Sequence, residues 1–507
     1  MTFGKNTYAF AILTLCHEGN GILTTQHTVD YSRKWYVLAA VATGIFLSTI
    51  DSSIVNVALP TLVQSFGVEF AVVQWVVLAY LLTVVTLIPS MGRLGDMIGK
   101  KPLYMTGFAI FTIGSALCGL APTAYWLIGF RVLQALGASV VLALGTAILT
   151  EAFPPTERGK ALGFGGTMVS IGIVTGPVLG GLLIGALSWH WIFFVNLPVG
   201  AIGLAMVLRF VPDIRPAGGQ RFDVGGALSL CISLLCLLLG LTFAQRLGFS
   251  EARVVALLVA WLILLAAFIS IESRHPQPMI SLALFRNRLF SINLITGFLT
   301  FVSFAGTTIL IPFYLQNILQ YSPQSVGLLM VVVPAGMGIA APLAGSLSDR
   351  FGSRPIIVIG LSMVALGFFA ASTLTTATTA PGYVLRFVPL GIGIGIFNAP
   401  NNSAIMGSVP RTRLGVASGL VAITRTLGQT VGIAVMGTVW AARVALRQSA
   451  VPVGGATAAA AGVQVAALHD TYLLSTMLAI ISLALAIWSL IQERRGALGP
   501  VPQPDGL

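Results

Sequence analysis

Long apolar runs separated by short polar loops make up nearly the whole chain. Each run holds about 20 residues, the length that a helix needs to cross the hydrocarbon core of a bilayer. Ten-residue segments of alternating polarity, typical of membrane β-barrels, do not occur in the sequence. The pattern predicts an all-α integral membrane protein with fourteen spans. The predicted spans are residues 36–59, 71–91, 103–121, 124–149, 161–186, 191–211, 224–244, 254–271, 290–315, 325–347, 355–374, 382–406, 415–440 and 471–491.

Composition and charge narrow the class further. Only 8% of the 507 residues are charged, whereas a soluble domain carries about 25%. The formal net charge of +12 does not indicate a nucleic-acid partner, because the basic residues lie in short loops between spans. Twenty of the 27 Lys and Arg residues fall on one side and four on the other. The positive-inside rule then predicts cytoplasmic N- and C-termini.

Two similar turns indicate an internal duplication. Gly92–Pro102 and Gly345–Pro355 share glycines, a leucine, an aspartate and a proline at one constant offset of 253 residues. Such self-similarity is typical of a repeated architecture, and it predicts two halves of six spans with an extra pair between them. The predicted segments are 1–35 as a cytoplasmic leader, 36–211 and 290–491 as six-helix bundles, 212–289 as a linker with two extra spans, and 492–507 as a cytoplasmic tail.

Asp51 stands out because it is an acid well inside an apolar span, where a charge costs about 2.5–3.5 kcal/mol at a helix centre. Ser52 and Asn56, four residues apart, form a polar strip beside it. One interpretation is a solvated or paired carboxylate near the outer interface. The other, which we favour, is a proton- or cation-binding carboxylate that faces a cavity.

Two arginines within spans also need partners, since arginine does not lose its proton in proteins. Arg131 is several residues from either end of its span, with Gln134 on the same helix face, and Arg425 is a similar case. Snorkelling to the membrane surface is the alternative for Arg131. A low-complexity stretch, Ala450–Ala467, is predicted to be a loose loop. The histidines and cysteines are scattered, so neither a metal site nor a cofactor is predicted.

Small residues repeat along the fifth span. Gly172, Gly176 and Gly180 are spaced by four, with Pro177 and Gly181 beside them. The spacing predicts a smooth helix face on which another backbone packs closely. The face is either ordinary helix packing or a hinge or seal between the halves, and the spacing alone does not separate the two.

Taken together, these motifs resemble those of the major facilitator superfamily, in particular its fourteen-span drug:proton antiporter branch (the EmrB/QacA type). Gly92–Pro102 resembles the superfamily's loop between spans two and three, and Leu127–Ala138 its fourth-span motif, with Ala135 where glycine is usual. Gly172–Gly181 resembles the fifth-span antiporter motif. Asp51–Pro60 and Trp189–Gly200 resemble motifs of the fourteen-span branch.

The resemblance implies a major facilitator fold with a central site near the bilayer midplane. It assigns proton and cation binding to Asp51 and the tuning of its protonation to Arg131. The residues it implies at the gates are Arg93, Asp96, Asp349 and Arg350.

The function expected from this resemblance is proton-coupled export of amphipathic or cationic drugs across the cytoplasmic membrane, by a monomer with or without accessory envelope proteins. A dedicated exporter of one metabolite and a lipid flippase are the alternatives within the same fold. A membrane-embedded enzyme lacks a catalytic cluster in this sequence, and a channel lacks a repeated filter element.

Overall fold

The computed structural model describes residues 33–154, 157–213, 224–274, 282–409, 414–448 and 455–494. Within these ranges the regular structure is helical and contains no strand. The helices are α1 (Lys34–Phe66), α2 (Phe70–Ile98), α3 (Lys100–Gly119), α4 (Ala124–Ala152), α5 (Arg158–Ala186), α6 (Trp191–Phe194), α7 (Asn196–Phe210), α8 (Val224–Leu247), α9 (Ala252–Arg274), α10 (Arg288–Phe313), α11 (Pro323–Met330), α12 (Val332–Phe351), α13 (Ser353–Ala371), α14 (Ala380–Gly407), α15 (Leu414–Arg447) and α16 (Ala461–Arg494).

Thirteen helices in the described ranges are long and apolar enough to cross a bilayer. Two of them are interrupted, since α6 continues into α7 and α11 into α12. Each of the thirteen overlaps one predicted span. The remaining predicted span, residues 224–244, falls on α8, whose described apolar part is the shorter stretch 228–244. A count of fourteen spans therefore stays a prediction.

The two similar turns have the same backbone conformation. Gly99, between α2 and α3, has a φ of 102°, and Gly352, between α12 and α13, has a φ of 85°. Only glycine adopts this region without strain, so the repeated glycine of the sequence marks a repeated backbone reversal. Each turn joins a long helix to the next with no intervening loop.

Close helix contacts repeat in the same way. A Cβ added to Gly137 would collide with the carbonyl oxygen of Gly107, and one added to Gly393 would come within 2.9 Å of the carbonyl oxygen of Gly360. The first contact brings α4 against α3, and the second brings α14 against α13. The helices α1–α7, here called the first half, and α10–α16, the second half, thus contain matching helix pairs built on matching glycines.

The halves meet at the ends of the helices that lie far from the two turns. Gln74, near the start of α2, donates a hydrogen bond of 2.7 Å from Nε2 to the carbonyl oxygen of Ile433 on α15. The Phe70 ring lies 5.1 Å from the ring of Phe313 on α10. A Cβ on Gly181 of α5 would collide with the backbone of α11. We call this set of contacts the seam.

The helix α8 bridges the two halves from the side. Trp75 of α2 donates a hydrogen bond of 3.2 Å from Nε1 to Oγ1 of Thr242. Thr438 of α15 donates one of 3.0 Å to the carbonyl oxygen of Leu241. Because α2 and α15 belong to different halves, α8 holds a neighbour from each.

One prediction about a loop is wrong. The stretch Ala450–Ala467 lies partly outside the described residues, but from Ala461 onward it is the first part of α16 rather than a loose loop. Alanine has the highest helix propensity of all residues, which outweighs the low complexity of the sequence. Helix α16 thus begins ten residues before the predicted span at 471.

Candidate functional site

A fully buried ion pair lies inside the first half. Asp51 on α1 is 0% exposed and Arg131 on α4 is 1% exposed. Arg131 donates from Nη1 to Oδ2 of Asp51 over 2.5 Å. The partner that Arg131 needs within its span is therefore the acid of the first span, and its burial rules out snorkelling to the membrane surface.

Amides complete the surroundings of the carboxylate. Gln134 donates from Nε2 to Oδ1 of Asp51 over 2.8 Å, and Asn196 of α7 donates from Nδ2 to the same oxygen over 2.9 Å. Asn196 also donates to Oγ of Ser115 on α3 over 3.0 Å. Charge-assisted hydrogen bonds of this kind are stronger than neutral ones. Side chains of α4 and α7 thus bind the carboxylate of α1, and Ser115 of α3 holds one of those side chains in place.

The guanidinium of Arg131 is fixed as firmly as the acid. Its Nε donates to the carbonyl oxygen of Val76 on α2 over 3.1 Å, and its Nη1 also donates to Oε1 of Gln134 over 2.8 Å. Its Cζ lies 4.1 Å from the centre of the Tyr80 ring, at cation–π distance. Because the ion pair is enclosed and hydrogen-bonded, removal of either partner would leave an uncompensated buried charge.

A glycine on a neighbouring helix makes this arrangement possible. A Cβ added to Gly114 of α3 would come within 2.7 Å of Cα of Gln134. The missing side chain lets α3 approach α4 at the residue that binds the carboxylate, and it brings Ser115 next to Asn196. The close approach of backbones at small residues is the usual way in which membrane helices pack.

A cavity lies between the two halves. Its wall comes from α1, α2, α4 and α5 on one side and from α10, α11, α12, α14 and α15 on the other. The space open to the centre of a water-sized sphere is about 150 Å³. One water molecule needs about 10–15 Å³ on this measure, so the cavity has room for a small molecule.

Asp51 was expected to face a cavity, but its carboxylate does not line this one. Arg131, its partner in the ion pair, lines the cavity instead. Asn56, one helical turn beyond Ser52, also lines it, and its Oδ1 has no hydrogen-bond partner in the described part of the chain. The hydroxyl of Tyr80 is buried in the same wall and has no hydrogen-bond partner among the described residues. Both oxygens are shielded from solvent in this conformation, so a bound molecule reaches them only if the wall moves.

Arg425 of α15 lines the cavity from the second half. Its Cζ lies 5.3 Å from the centre of the Phe301 ring on α10. Among the residues that the structure describes, no carboxylate forms an ion pair with Arg425. Both arginines thus lie within spans, as expected from the sequence, but among the described residues only Arg131 forms an ion pair.

The small residues of α5 contact two different helices. Gly172, Gly176 and Gly180 face α1, where added Cβ atoms would come within 2.9 Å of Thr49, Ser53 and Ile54. Pro177 and Gly181 face α11 of the second half, where the backbones of Pro323 and Gly327 approach them. Ordinary helix packing thus accounts for Gly172, Gly176 and Gly180, whereas a hinge or seal at Pro177 and Gly181 stays a prediction.

The two similar turns differ in their ion pairs. Asp96 lies 3.2 Å from Nζ of Lys100, which also pairs with Glu151 of α4. Asp349 is exposed and has no ion pair among the described residues. The remaining predicted gate residues are the partly buried Arg93 and the exposed Arg350, whose Cζ lies 5.3 Å from the Phe351 ring.

Sequence reasoning did not single out Asn196, Ser115 or Tyr80 as site residues. Asn196 is a polar residue near the start of a span, within the stretch Trp189–Gly200. That position was a usable signal, because polar residues within spans are costly unless they are satisfied. No sequence signal marks Ser115, because serine is common where membrane helices pack.

Residues 41–433 of this chain match the family described as the Major Facilitator Superfamily. The riboflavin transporter RibZ of Clostridioides difficile is 36% identical over 405 residues, covering 79% of this chain and 87% of that protein. The multidrug resistance protein Stp of Mycobacterium tuberculosis is 35% identical over 409 residues, covering 80% and 75%.

A solved structure shares the fold. A bacterial homolog of the human lysosomal transporter Spinster, in an inward-facing and unoccupied conformation, superposes with a TM-score of 0.65 at 18% identity, covering 94% of this chain and 100% of that one. The predicted all-α major facilitator fold is confirmed. On the family match and on relatives above 30% identity, this chain belongs to the major facilitator superfamily and is a transporter of that superfamily rather than an enzyme.

Proposed function

We propose that this protein is a proton-coupled exporter of amphipathic small molecules, which works by alternating access in the cytoplasmic membrane. The observation that carries the proposal is a cavity that both halves line and that the seam closes at one end. Arg131 lines this cavity, and its ion-pair partner Asp51 is buried behind it. Relatives named for multidrug resistance and for tetracenomycin C export support the drug-export part.

In this proposal, Asp51 is the residue that binds the transported proton. Protonation would remove the charge that holds Arg131, so the hydrogen bonds among α1, α4 and α7 would rearrange. On α1, Ser53 donates to the carbonyl oxygen of Gly172 on α5, and α5 forms part of the seam. Since Asp51 does not touch the cavity, we infer that proton and substrate are coupled through this conformational path rather than by contact.

The orientation follows from the distribution of basic residues. The two similar turns lie on the basic side, which the positive-inside rule assigns to the cytoplasm. The seam lies at the other end, so the conformation described here is open to the cytoplasm. A single cysteine at Ser353, in a chain without native cysteines, should be protected from an impermeant thiol reagent in intact cells. Labelling as strong as at an external site would reverse the orientation.

Efflux of a fluorescent substrate, measured with and without a proton gradient, tests the function. We expect active efflux from cells or proteoliposomes that contain the wild-type protein, and loss of that efflux with a protonophore. Asp51→Asn should abolish the dependence on the gradient while leaving facilitated exchange of substrate across the membrane. Gradient-driven efflux by Asp51→Asn at the wild-type rate would remove Asp51 from the coupling mechanism.

We further propose that the chain is a monomer of the fourteen-span drug:proton antiporter branch, with α8 and α9 as the extra pair. A second candidate function, transport of one metabolite, is favoured by the similarity to a riboflavin transporter. The range of substrates separates the two. A multidrug exporter should transport several unrelated amphipathic compounds, whereas a dedicated transporter should accept one compound and its near analogues.

A further inference from the structure

The charges of the cavity wall do not balance. Two residues with formal charge line the cavity, Arg131 and Arg425, and neither Asp nor Glu is among the lining residues. The charge of Arg131 is compensated from behind by Asp51. The charge of Arg425 has no such counterpart among the described residues. The wall therefore carries an excess of one positive charge.

An uncompensated arginine is costly in this position. A guanidinium keeps its proton under all ordinary conditions, so it is not neutralised by burial. Arg425 is partly buried in the cavity wall, and a charge held beside low-dielectric walls is stabilised by an opposite charge. Arg425 makes one aromatic contact, with Phe301, and its N–H groups remain available to a bound molecule.

The remainder of the wall indicates the shape of that molecule. Gln429 lies one helical turn beyond Arg425 and also lines the cavity. Thr308 of α10 also lines the cavity and carries a hydroxyl group. Phe304 and Met337 add apolar surface. This combination of one cation, a few neutral donors and an apolar wall suits an apolar molecule with one acidic group.

Building on the proposed function, we propose that the cavity selects amphipathic anions, with a carboxylate or similar group of the substrate bound to Arg425. The guanidinium offers paired donors that match the two oxygens of a carboxylate. A cationic substrate would face the positive wall without any acid to bind it. Within the drug classes expected from the sequence, the cavity thus favours acidic amphiphiles over cationic ones.

Binding of three matched probes to the purified full-length protein tests the proposal. The probes are 2-naphthoic acid, 2-naphthamide and 2-naphthylmethylamine, which share an aromatic body and are anionic, neutral and cationic at neutral pH. Calorimetric titration in chloride-free buffer gives each dissociation constant. We expect the acid to bind wild-type protein about 10–100-fold more tightly than the amine, the range for a hydrogen-bonded charge pair.

Variants locate the effect. Arg425→Gln should weaken the acid about tenfold or more and leave the amide within about twofold, whereas Arg425→Lys should retain part of the preference. Arg386→Gln is the matched control, because Arg386 does not line the cavity and instead bonds to Thr373 and to the carbonyl oxygen of Gly382. The control should bind all three probes as wild type does.

Several outcomes would overturn the inference. These are equal binding of acid and amine, tighter binding of the amine, absence of binding by every probe, and a preference that survives Arg425→Gln. If added chloride alone removes the preference, the site is one for an inorganic anion and the proposed substrate class is wrong. Gradient-driven efflux is measured separately. If the protein exports substrate but shows no preference for acids, this inference is wrong and the proposed function is unaffected.

Discussion

The two halves share their helix packing but not their buried charges. In both, the third and fourth helices pack through matching glycines, Gly137 against α3 and Gly393 against α13. Six residues before these glycines lie Arg131 and Phe387, which are both fully enclosed. The position of a buried arginine in the first half is thus occupied by a phenylalanine in the second.

The acid has a neutral counterpart as well. Gly172 of α5 packs on Ile50 of α1, and in the same way Gly428 of α15 packs on Val302 of α10. The next residues are Asp51 and Ser303, which are both 0% exposed. The second half therefore holds Ser and Phe where the first half holds the ion pair.

The difference teaches that this fold does not need the ion pair. One half packs the same helix contacts with neutral side chains, so the charges of the other half are an added feature. Buried ion pairs are seldom retained for stability, since apolar replacements of similar volume are often neutral or stabilising. The contrast between the halves is therefore the strongest structural support for a coupling role of Asp51.

The largest expected effect comes from breaking the ion pair on one side. Arg131→Ala should lower the free energy of unfolding by about 3–5 kcal/mol, because Asp51 would remain buried without its cation. The double variant Asp51→Ser/Arg131→Phe copies the second half and should recover most of this loss. Denaturant titration of the purified proteins in detergent measures both. A double variant as unstable as Arg131→Ala would show that the halves are not interchangeable at these positions.

A moderate effect is expected at the seam. In Gly181→Ala the new methyl group would collide with the backbone of Pro323, and such overpacking costs about 1–3 kcal/mol in the conformation where the seam is closed. Transport should fall about tenfold. Gly166→Ala on the same helix is the control, since no atom lies within 4 Å of its added Cβ. Equal transport rates for the two variants would mean that the seam does not open during the cycle.

A smaller change is expected at the first turn, where the side chains of Lys100 and Asp96 are 20% and 40% exposed. Lys100→Ser gives the first turn the residue of the second turn, Ser353, and separates Asp96 from its cation. The free energy of unfolding should change by about 1 kcal/mol, the upper end of the range for ion pairs near the surface. Transport should nonetheless slow, as it should in Asp96→Asn, because the turn acts on the conformational equilibrium. Unchanged transport in both variants would remove this turn from gating.

Much of the fold was predictable because lipid demands long apolar helices, and each break in that pattern is visible in the sequence. Asp51, Arg131 and Gln134 were each identifiable for the same reason, since polar residues within spans need partners. Their mutual contacts were not, because they depend on how Gly114 and other small residues bring separate helices together. The sequence likewise does not show that Arg425 has no ion pair among the described residues, because this depends on where the fold places the acidic side chains.

The presence of Ser303 where the first half has Asp51 sets a limit on energy conversion. With one carboxylate at this position per molecule, the proposed exchange moves one proton through it in each turnover. One elementary charge that crosses a potential of 100 mV releases about 2.3 kcal/mol, and about 1.4 kcal/mol corresponds to a factor of ten in concentration. A neutral substrate could then be concentrated roughly fiftyfold outside the cell for each 100 mV, and steeper gradients would require a second titrating group.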